Sequence, residues 1–143
     1  MNPNYHQTVT VFNCLKGADN PDGKKDVWQG TVLHNCFYKN VISRAEEGNG
    51  VRMVNTYAVR IPESECYLPY REWLMLPQAD RSAHFTLHTD DIIVKGECSE
   101  MITGTSPNTA SEFLRRKKPD AFVVTAFSDN TSHKQAGHYR AGG

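Results

Sequence analysis

The chain has 143 residues, a length that predicts one domain with a hydrophobic core of its own. Hydrophobic residues make up 38% of it and charged residues 22%, so a disordered protein is not expected. Lys and Arg together number 16, as do Asp and Glu together, and this equal number of positive and negative charges argues against a free protein that binds the phosphates of DNA. A net charge of zero suits a subunit that packs into an assembly.

No segment approaches the roughly 20 apolar residues that cross a bilayer, and the polar stretch Met1–Gln7 lacks the pattern of a secretory signal. We therefore expect a protein that is kept in a cytoplasm and has no membrane partner. The four cysteines are far apart and form no C-x-x-C pair, so we expect free thiols in or near the core. They are Cys14, Cys36, Cys66 and Cys98.

Alternation of apolar and polar residues predicts strands throughout the first half of the chain. The predicted elements are a strand over Thr8–Leu15, a polar loop over Lys16–Asp26 with a turn at Asn20–Gly23, a strand over Val27–Ile42, a hairpin loop over Glu46–Gly50 and a strand over Val51–Ile61. Alternation in the second strand is imperfect, and a bulge near Gly30 would explain it. Pro62 ends the third strand because proline has no N–H to donate to the ladder.

The second half mixes a long crossover, short strands and one helix. An apolar-rich crossover is predicted over Pro62–Asp80, with at most two helical turns around Tyr70–Met75. It is followed by predicted strands over Phe85–Leu87 and Ile92–Val94 and a helix from Ser106 to Lys118. The last predicted elements are a strand over Ala121–Phe127, a polar loop over Ser128–Gln135 and a strand over His138–Arg140. Ser106 is the predicted N-cap of the helix and Pro107 its first residue. About six or seven strands, long loops and one short helix predict a mostly β fold, a small barrel or sandwich.

Side chains that could carry chemistry are isolated. His34 and Cys36 lie two apart on a predicted strand and could face one ion, but a zinc site needs further ligands that nothing in the sequence places. His84 and His88 would lie about 13 Å apart on a strand, too far for one ion. Asp90-Asp91 fits an ordinary turn better than a catalytic carboxylate pair. Nucleophile and phosphate-loop motifs are absent from the sequence, so we expect no enzyme activity and no metal or cofactor.

Two clusters are candidates for contact with a partner. The aromatic cluster comprises Tyr67, Tyr70 and Trp73, and the basic run comprises Arg115, Arg116, Lys117 and Lys118. Tyr and Trp are favoured at the centre of protein interfaces, but this cluster could equally fold back over one end of the barrel. The basic run could contact nucleic acid or an acidic partner, or it could be a solvated helix end that complements the helix dipole. The Lys16–Asp26 loop is a third candidate contact region.

Three segments resemble small virion proteins encoded among phage head and tail genes. They are the opening Gln7–Asn13 followed by Trp28 and Val32–His34, the segment Phe85–Gly96 (FTLHTDDIIVKG) and the ending Gly137–Gly142 (GHYRAG). The second is similar to an "aromatic-T-L…G-D-I-I-V-x-G" segment of those proteins. The third is similar to their "H-[YW]-x-V-x-G" ending. Their order spans nearly the whole chain. The family resembled is that of phage head-to-tail connectors, the head-completion proteins of the head-closure or stopper type.

This resemblance implies a β-barrel core with long loops, assembled as a homo-oligomeric ring (six- or twelve-fold) beneath the portal in the neck of the virion. The loops would contact neighbouring subunits, the portal or adaptor and the tail, with transient contact to packaged DNA. Adaptors and tail terminators are alternatives within the same class of protein. An oligonucleotide-binding-type barrel that uses Arg115–Lys118, and a small enzyme or ligand-binding barrel that uses His34, His84 or Asp91, are alternatives of other classes.

Overall fold

The computed structural model describes residues 4–20, 23, 25–132 and 137–143, with backbone alone at positions 43, 45 and 47. The described residues form one antiparallel sheet of seven strands in the order β5-β4-β1-β2-β3-β7-β6, which confirms the prediction of a mostly β fold. The strands are β1 (Gln7–Leu15), β2 (Val27–Glu47), β3 (Gly50–Pro62), β4 (Ile92–Lys95), β5 (Ala121–Val123), β6 (Ala126–Asp129) and β7 (His138–Gly142). The helices are a 3-10 turn (Gly17–Asp19), α1 (Tyr70–Leu74), α2 (Gln78–Arg81) and α3 (Ala110–Lys117).

The two edge strands of the sheet are consecutive in sequence. Only Val124 and Thr125 separate β5 from β6, although these strands lie at opposite ends of the strand order. The N–H of Val124 donates to the carbonyl of Asp91 beside β4 at 2.8 Å, and the N–H of Thr125 donates to the carbonyl of Gly142 in β7 at 2.9 Å. The two edges therefore approach each other at this linker, and the sheet is curled but open, since β5 and β6 do not pair with each other within the described residues.

Two hydrophobic cores lie on opposite faces of β1 and β4. The inner core fills the curl of the sheet and includes Val9, Val11, Cys36, Val59, Ile61, Phe85, Leu87, Ile93, Tyr139 and Ala141. The outer core lies under α3 and consists of Phe12, Ile92, Val94, Ile102, Phe113 and Ala121. Because both faces of β1 are covered, every residue from Val9 to Leu15 is buried.

The long second strand departs from its prediction in length and in the place of its bulge. β2 continues past Ile42 to Glu47, and the hairpin turn is confined to two residues. The bulge lies at Asn35, not near Gly30, because Val9 pairs with Leu33 while Gln7 pairs with Cys36, and Asn35 takes a positive φ of 59°. Gly30 instead makes room for a ring, since a Cβ at this position would lie 3.0 Å from Cε1 of Phe12.

The prediction of a single helix that starts at Ser106 is wrong. The described part of the chain contains three short α-helices, and α1 falls within the helical turns predicted around Tyr70–Met75. The N-cap of α3 is Thr109, whose Oγ1 accepts a hydrogen bond from the N–H of Glu112 at 3.3 Å. Ser106 Oγ lies 3.1 Å from Oε2 of the same glutamate. The pattern Thr109-x-x-Glu112 is a capping pair in the sequence, and it prevails over the Ser-Pro signal three residues earlier.

Three further predictions differ from the structure, because pairing between distant residues decides the conformation of these segments. Phe85–Leu87 forms no strand, only a single parallel bridge between Phe85 and Tyr67. The predicted strand Ala121–Phe127 is two strands, because its halves pair with opposite edges of the sheet. The predicted loop Ser128–Gln135 begins inside β6. Its residues 133–136, and residues 21, 22 and 24 of the Lys16–Asp26 loop, lie outside the described part of the chain.

Candidate interaction surfaces

The β2–β3 hairpin extends past the other strands as a two-stranded ribbon, which we define as residues 41–56. Val41–Glu47 pairs with Gly50–Thr56, and no third strand joins them within the described residues. Seven residue pairs at about 3.3 Å per residue give the ribbon a length of roughly 23 Å. A two-stranded hairpin without further packing is only marginally stable in water, so this ribbon gains from contact with another surface.

One face of the ribbon carries exposed apolar side chains. Residues directly opposite in an antiparallel pair share a face, and the pairs Ile42–Asn55, Arg44–Met53 and Glu46–Val51 therefore lie on the same side. On this face Ile42, Met53 and Val51 are 65%, 61% and 53% exposed. The sequence pattern assigns Val51 and Met53 to the same apolar face as Val59 and Ile61, but only the latter two are in the core. This face of the ribbon thus offers three exposed apolar side chains that alternate with Arg44, Glu46 and Asn55.

The aromatic cluster folds back onto the body of the protein. The ring of Tyr67 stacks on that of Tyr139 with centroids 3.9 Å apart. The ring of Tyr70 stacks on that of His88 at 4.1 Å, and its hydroxyl donates to Oδ2 of Asp19 at 2.9 Å. Trp73 is buried. Of the two alternatives that the sequence leaves open, the structure shows these rings packed against the body, with Tyr67 and Tyr70 half-buried.

Half of the basic run is paired with one glutamate that the sequence analysis did not select. Nη2 of Arg116 lies 3.0 Å from Glu100, and Nζ of Lys117 lies 2.9 Å from the same carboxylate. Hydrogen bonds from Lys117 and Arg116 lower the pKa of Glu100, which keeps it ionised. Arg115 and Lys118 are exposed. This pairing reduces the positive field that a nucleic-acid backbone would meet at the end of α3.

The bulge at Asn35 separates the side chains of His34 and Cys36, for which the sequence analysis predicts no metal site. Cys36 points into the inner core and is fully buried, while His34 is exposed with its Nδ1 3.1 Å from Oγ1 of Thr8. The expectation that these side chains share a face is therefore wrong. Among the residues that the structure describes, no group of three His, Cys, Asp or Glu side chains is arranged to hold a metal. Burial raises the pKa of the Cys36 thiol to about 12, which keeps it protonated at neutral pH.

Asp91 is a buried structural carboxylate. Asp90 takes a positive φ of 77° in the predicted turn, but Asp91 is only 1% exposed. Its Oδ2 accepts from Nδ2 of Asn13 at 2.9 Å and from the N–H of His88 at 2.8 Å, and its Oδ1 accepts from the N–H of Cys14 at 2.9 Å. Burial raises the pKa of Asp91 to about 7, and these hydrogen bonds oppose that rise. The carboxylate ties the start of β4 to β1.

Asn13 completes this buried network. Its Nδ2 donates to the carbonyl of Thr86 at 2.6 Å, and its Oδ1 accepts from the N–H of Thr86 at 3.2 Å. These bonds take the place of a strand ladder for the segment before the Asp90 turn. The sequence did contain a signal for this role, since Asn13 interrupts an otherwise apolar run in β1 and Asp91 immediately precedes the buried Ile92.

A groove opens between the start of β2 and the two short helices α1 and α2. Its volume is about 660 Å³, and its walls include Leu15, Val27, Trp28, Trp73 and Arg81. Arg81 is only 7% exposed, and its guanidinium carbon lies 6.0 Å from the centroid of the Trp73 ring. Within the described residues no carboxylate forms an ion pair with it. We call this feature the Arg81 groove.

The chain belongs to DUF6751, a family of unknown function, whose model matches residues 4–143. No curated protein and no solved structure matches the chain. Among the described residues, no helix is long and apolar enough to cross a membrane.

Proposed function

We propose that this protein is a non-enzymatic structural subunit of a tailed phage, a ring-forming head-to-tail connector of the head-closure type. In this role it would join the portal or adaptor to the tail in the neck of the virion. The observation that carries the proposal is the ribbon, which exposes Ile42, Val51 and Met53 on one face. Three exposed apolar side chains, set among Arg44, Glu46 and Asn55 on an extension of roughly 23 Å, give this surface the mixed character of many protein interfaces.

The segments that resemble connector sequences contribute core side chains and strands to the fold. In Phe85–Gly96, the side chains of Phe85, Leu87 and Ile93 are in the inner core, and Asp91 ties β4 to β1. The ending Gly137–Gly142 contains β7, which lies between β3 and β6. This supports a shared architecture with those proteins, and the ribbon supports a shared use of that architecture for assembly.

The paired state of the basic run favours protein contacts over nucleic-acid recognition. A barrel that binds oligonucleotides needs an open cationic groove with aromatic side chains on which bases stack. Here Glu100 pairs with Arg116 and Lys117, and the aromatic cluster packs against the body. Transient contact of Arg115 and Lys118 with packaged DNA is compatible with the connector role.

The experiment that tests this function measures assembly and places the protein in the particle. Native mass spectrometry of the chain, alone and with portal and tail proteins, should show a ring, and imaging of the virion should place that ring in the neck. Met53→Asp on the ribbon should block assembly, whereas Met75→Asp, at an 81% exposed methionine outside it, should not. Both variants should retain the wild-type unfolding temperature, because both side chains are exposed. A strict monomer that never enters virions would refute the proposal.

A further inference from the structure

The Arg81 groove holds a buried cation that the described part of the chain leaves without an anion. Arg81 is 7% exposed and lies against Trp73 through a cation–π contact. Most of the side chain is shielded, while the guanidinium nitrogens still meet the solvent of the groove. A carboxylate or phosphate bound there would replace this partial hydration with a charge-assisted pair. The groove therefore selects a ligand that carries an anionic group.

The rest of the groove selects apolar surface beside that anion. Leu15, Val27 and Trp28 line its walls, and its volume of about 660 Å³ exceeds the needs of a single side chain. A half-open groove of this volume has room for several side chains of a bound segment. The expected occupant is a compact polypeptide segment that presents a carboxylate next to an apolar side chain.

The tip of the ribbon has this chemistry. Glu46 is exposed and lies opposite Val51, so a carboxylate and an apolar side chain share one face at the end of the hairpin. The chain reverses through the two-residue turn Gly48-Asn49, where Gly48 takes a φ of 55°. The tip is therefore narrow and ends in a carboxylate beside an apolar side chain, with Arg44 and Arg52 farther from the turn. Glu46 and Val51 complement Arg81 and the apolar walls of the groove.

The groove and the tip lie at opposite ends of one strand. Val27 and Trp28 at the start of β2 line the groove, and the last residues of β2 form one side of the tip. The 21 residues of this strand span up to roughly 65 Å. Contact between tip and groove therefore joins two copies through different surfaces, a heterologous contact that closes into a ring when the rotation between subunits allows it.

We propose that copies of this chain join head to tail, with the ribbon tip of one copy seated in the Arg81 groove of the next and Glu46 paired with Arg81. The proposal rests on the ring-forming function above and names the contact that builds the ring. It places the Glu46 carboxylate at Arg81 and packs the Val51 side chain against the apolar walls of the groove.

The test is a charge swap in the full chain, measured by native mass spectrometry and sedimentation for the protein alone and for rings formed with portal proteins. Glu46→Arg and Arg81→Glu should each weaken self-association at least about tenfold, and the double variant should recover most of it. Arg71→Glu, on exposed α1 surface, is the matched control and should assemble like the wild type. Because Glu46 is exposed, its variant should fold normally even if Arg81→Glu does not.

The outcomes separate this contact from the function on which it rests. Loss of assembly in Glu46→Arg with recovery in the double variant supports the contact. Rings that form equally well in Glu46→Arg overturn the contact and leave the connector function standing. A wild-type chain that stays monomeric in every mixture and is excluded from virions overturns both.

Discussion

Asn13→Ala is the most informative single test of how the fold is held together. The side chain of Asn13 is fully buried in β1 and makes three hydrogen bonds, two with the backbone of Thr86 and one with the Asp91 carboxylate. Alanine at this position leaves the N–H and the C=O of Thr86 without their partner and removes one of the three hydrogen bonds to Asp91. Water cannot replace these bonds without opening the contact between β1 and the segment that precedes β4.

The size of the effect follows from the number of groups left unpaired. A buried backbone group without a partner costs about 1–3 kcal/mol, and Asp91 keeps the bonds from Cys14 and His88, so we expect a total loss of about 3–5 kcal/mol. A chain of this length unfolds with a free energy on the order of 5–15 kcal/mol, so the loss is a large part of its stability. At about 2–4 °C per kcal/mol, the midpoint of thermal unfolding should fall by roughly 10 °C.

Urea titration followed by circular dichroism, together with calorimetry, measures this change. Asn55→Ala is the matched control, because Asn55 is an exposed asparagine on the ribbon and its loss should change the free energy of unfolding by less than about 0.5 kcal/mol. If Asn13→Ala unfolds within about 1 kcal/mol of that control, the buried network is not what joins β1 to β4.

The other predictions concern the outer core, the cap of α3 and pH. Phe113 is fully buried, and its ring centroid lies 5.0 Å from that of Phe12. Phe113→Ala should therefore lower the free energy of unfolding, measured by urea titration, by about 3–5 kcal/mol. A loss below about 1 kcal/mol would show that α3 does not cover this core. Thr109→Ala should lower it by about 1 kcal/mol and Ser106→Ala by less, whereas equal losses would contradict the assignment of the cap. The folded-state pKa of Asp91, about 7, lies above its ordinary value of 3.8, so the folded chain holds a proton that the unfolded chain loses between these values. This contribution to stability is complete below about pH 4 and is lost as pH rises through 7; Asp91→Asn should flatten that part of the profile of unfolding midpoint against pH, and an unchanged profile would contradict the assignment.

Local pattern predicted the elements whose signal repeats along the chain. The strands Thr8–Leu15 and Val51–Ile61 were predicted to within one residue at each end, because apolar alternation is a property of neighbouring residues. The helical turns between Pro69 and Pro77 followed from the backbone restrictions that proline imposes. The turn at Asp90 was likewise local.

The errors occurred where distant residues decide the outcome. Ala121–Phe127 reads as one strand, and it divides only because Val124 and Thr125 bond to opposite edges of the curled sheet. The bulge at Asn35 depends on the register with β1, which alternation in β2 does not reveal.

The same distinction between local sequence pattern and contacts of distant residues holds for the candidate contact surfaces. The sequence by itself determined the chemistry of the candidate contact regions, namely the aromatic cluster, the basic run and the Lys16–Asp26 loop, and the apolar alternation of the third strand. Only the tertiary structure decided which of these faces solvent. It buried Trp73, paired Arg116 with Glu100, and left Met53 exposed although Ile61 on the same strand is in the core. The physical reason is that exposure depends on the elements packed alongside a residue, and those elements are brought there by contacts between residues far apart in the chain.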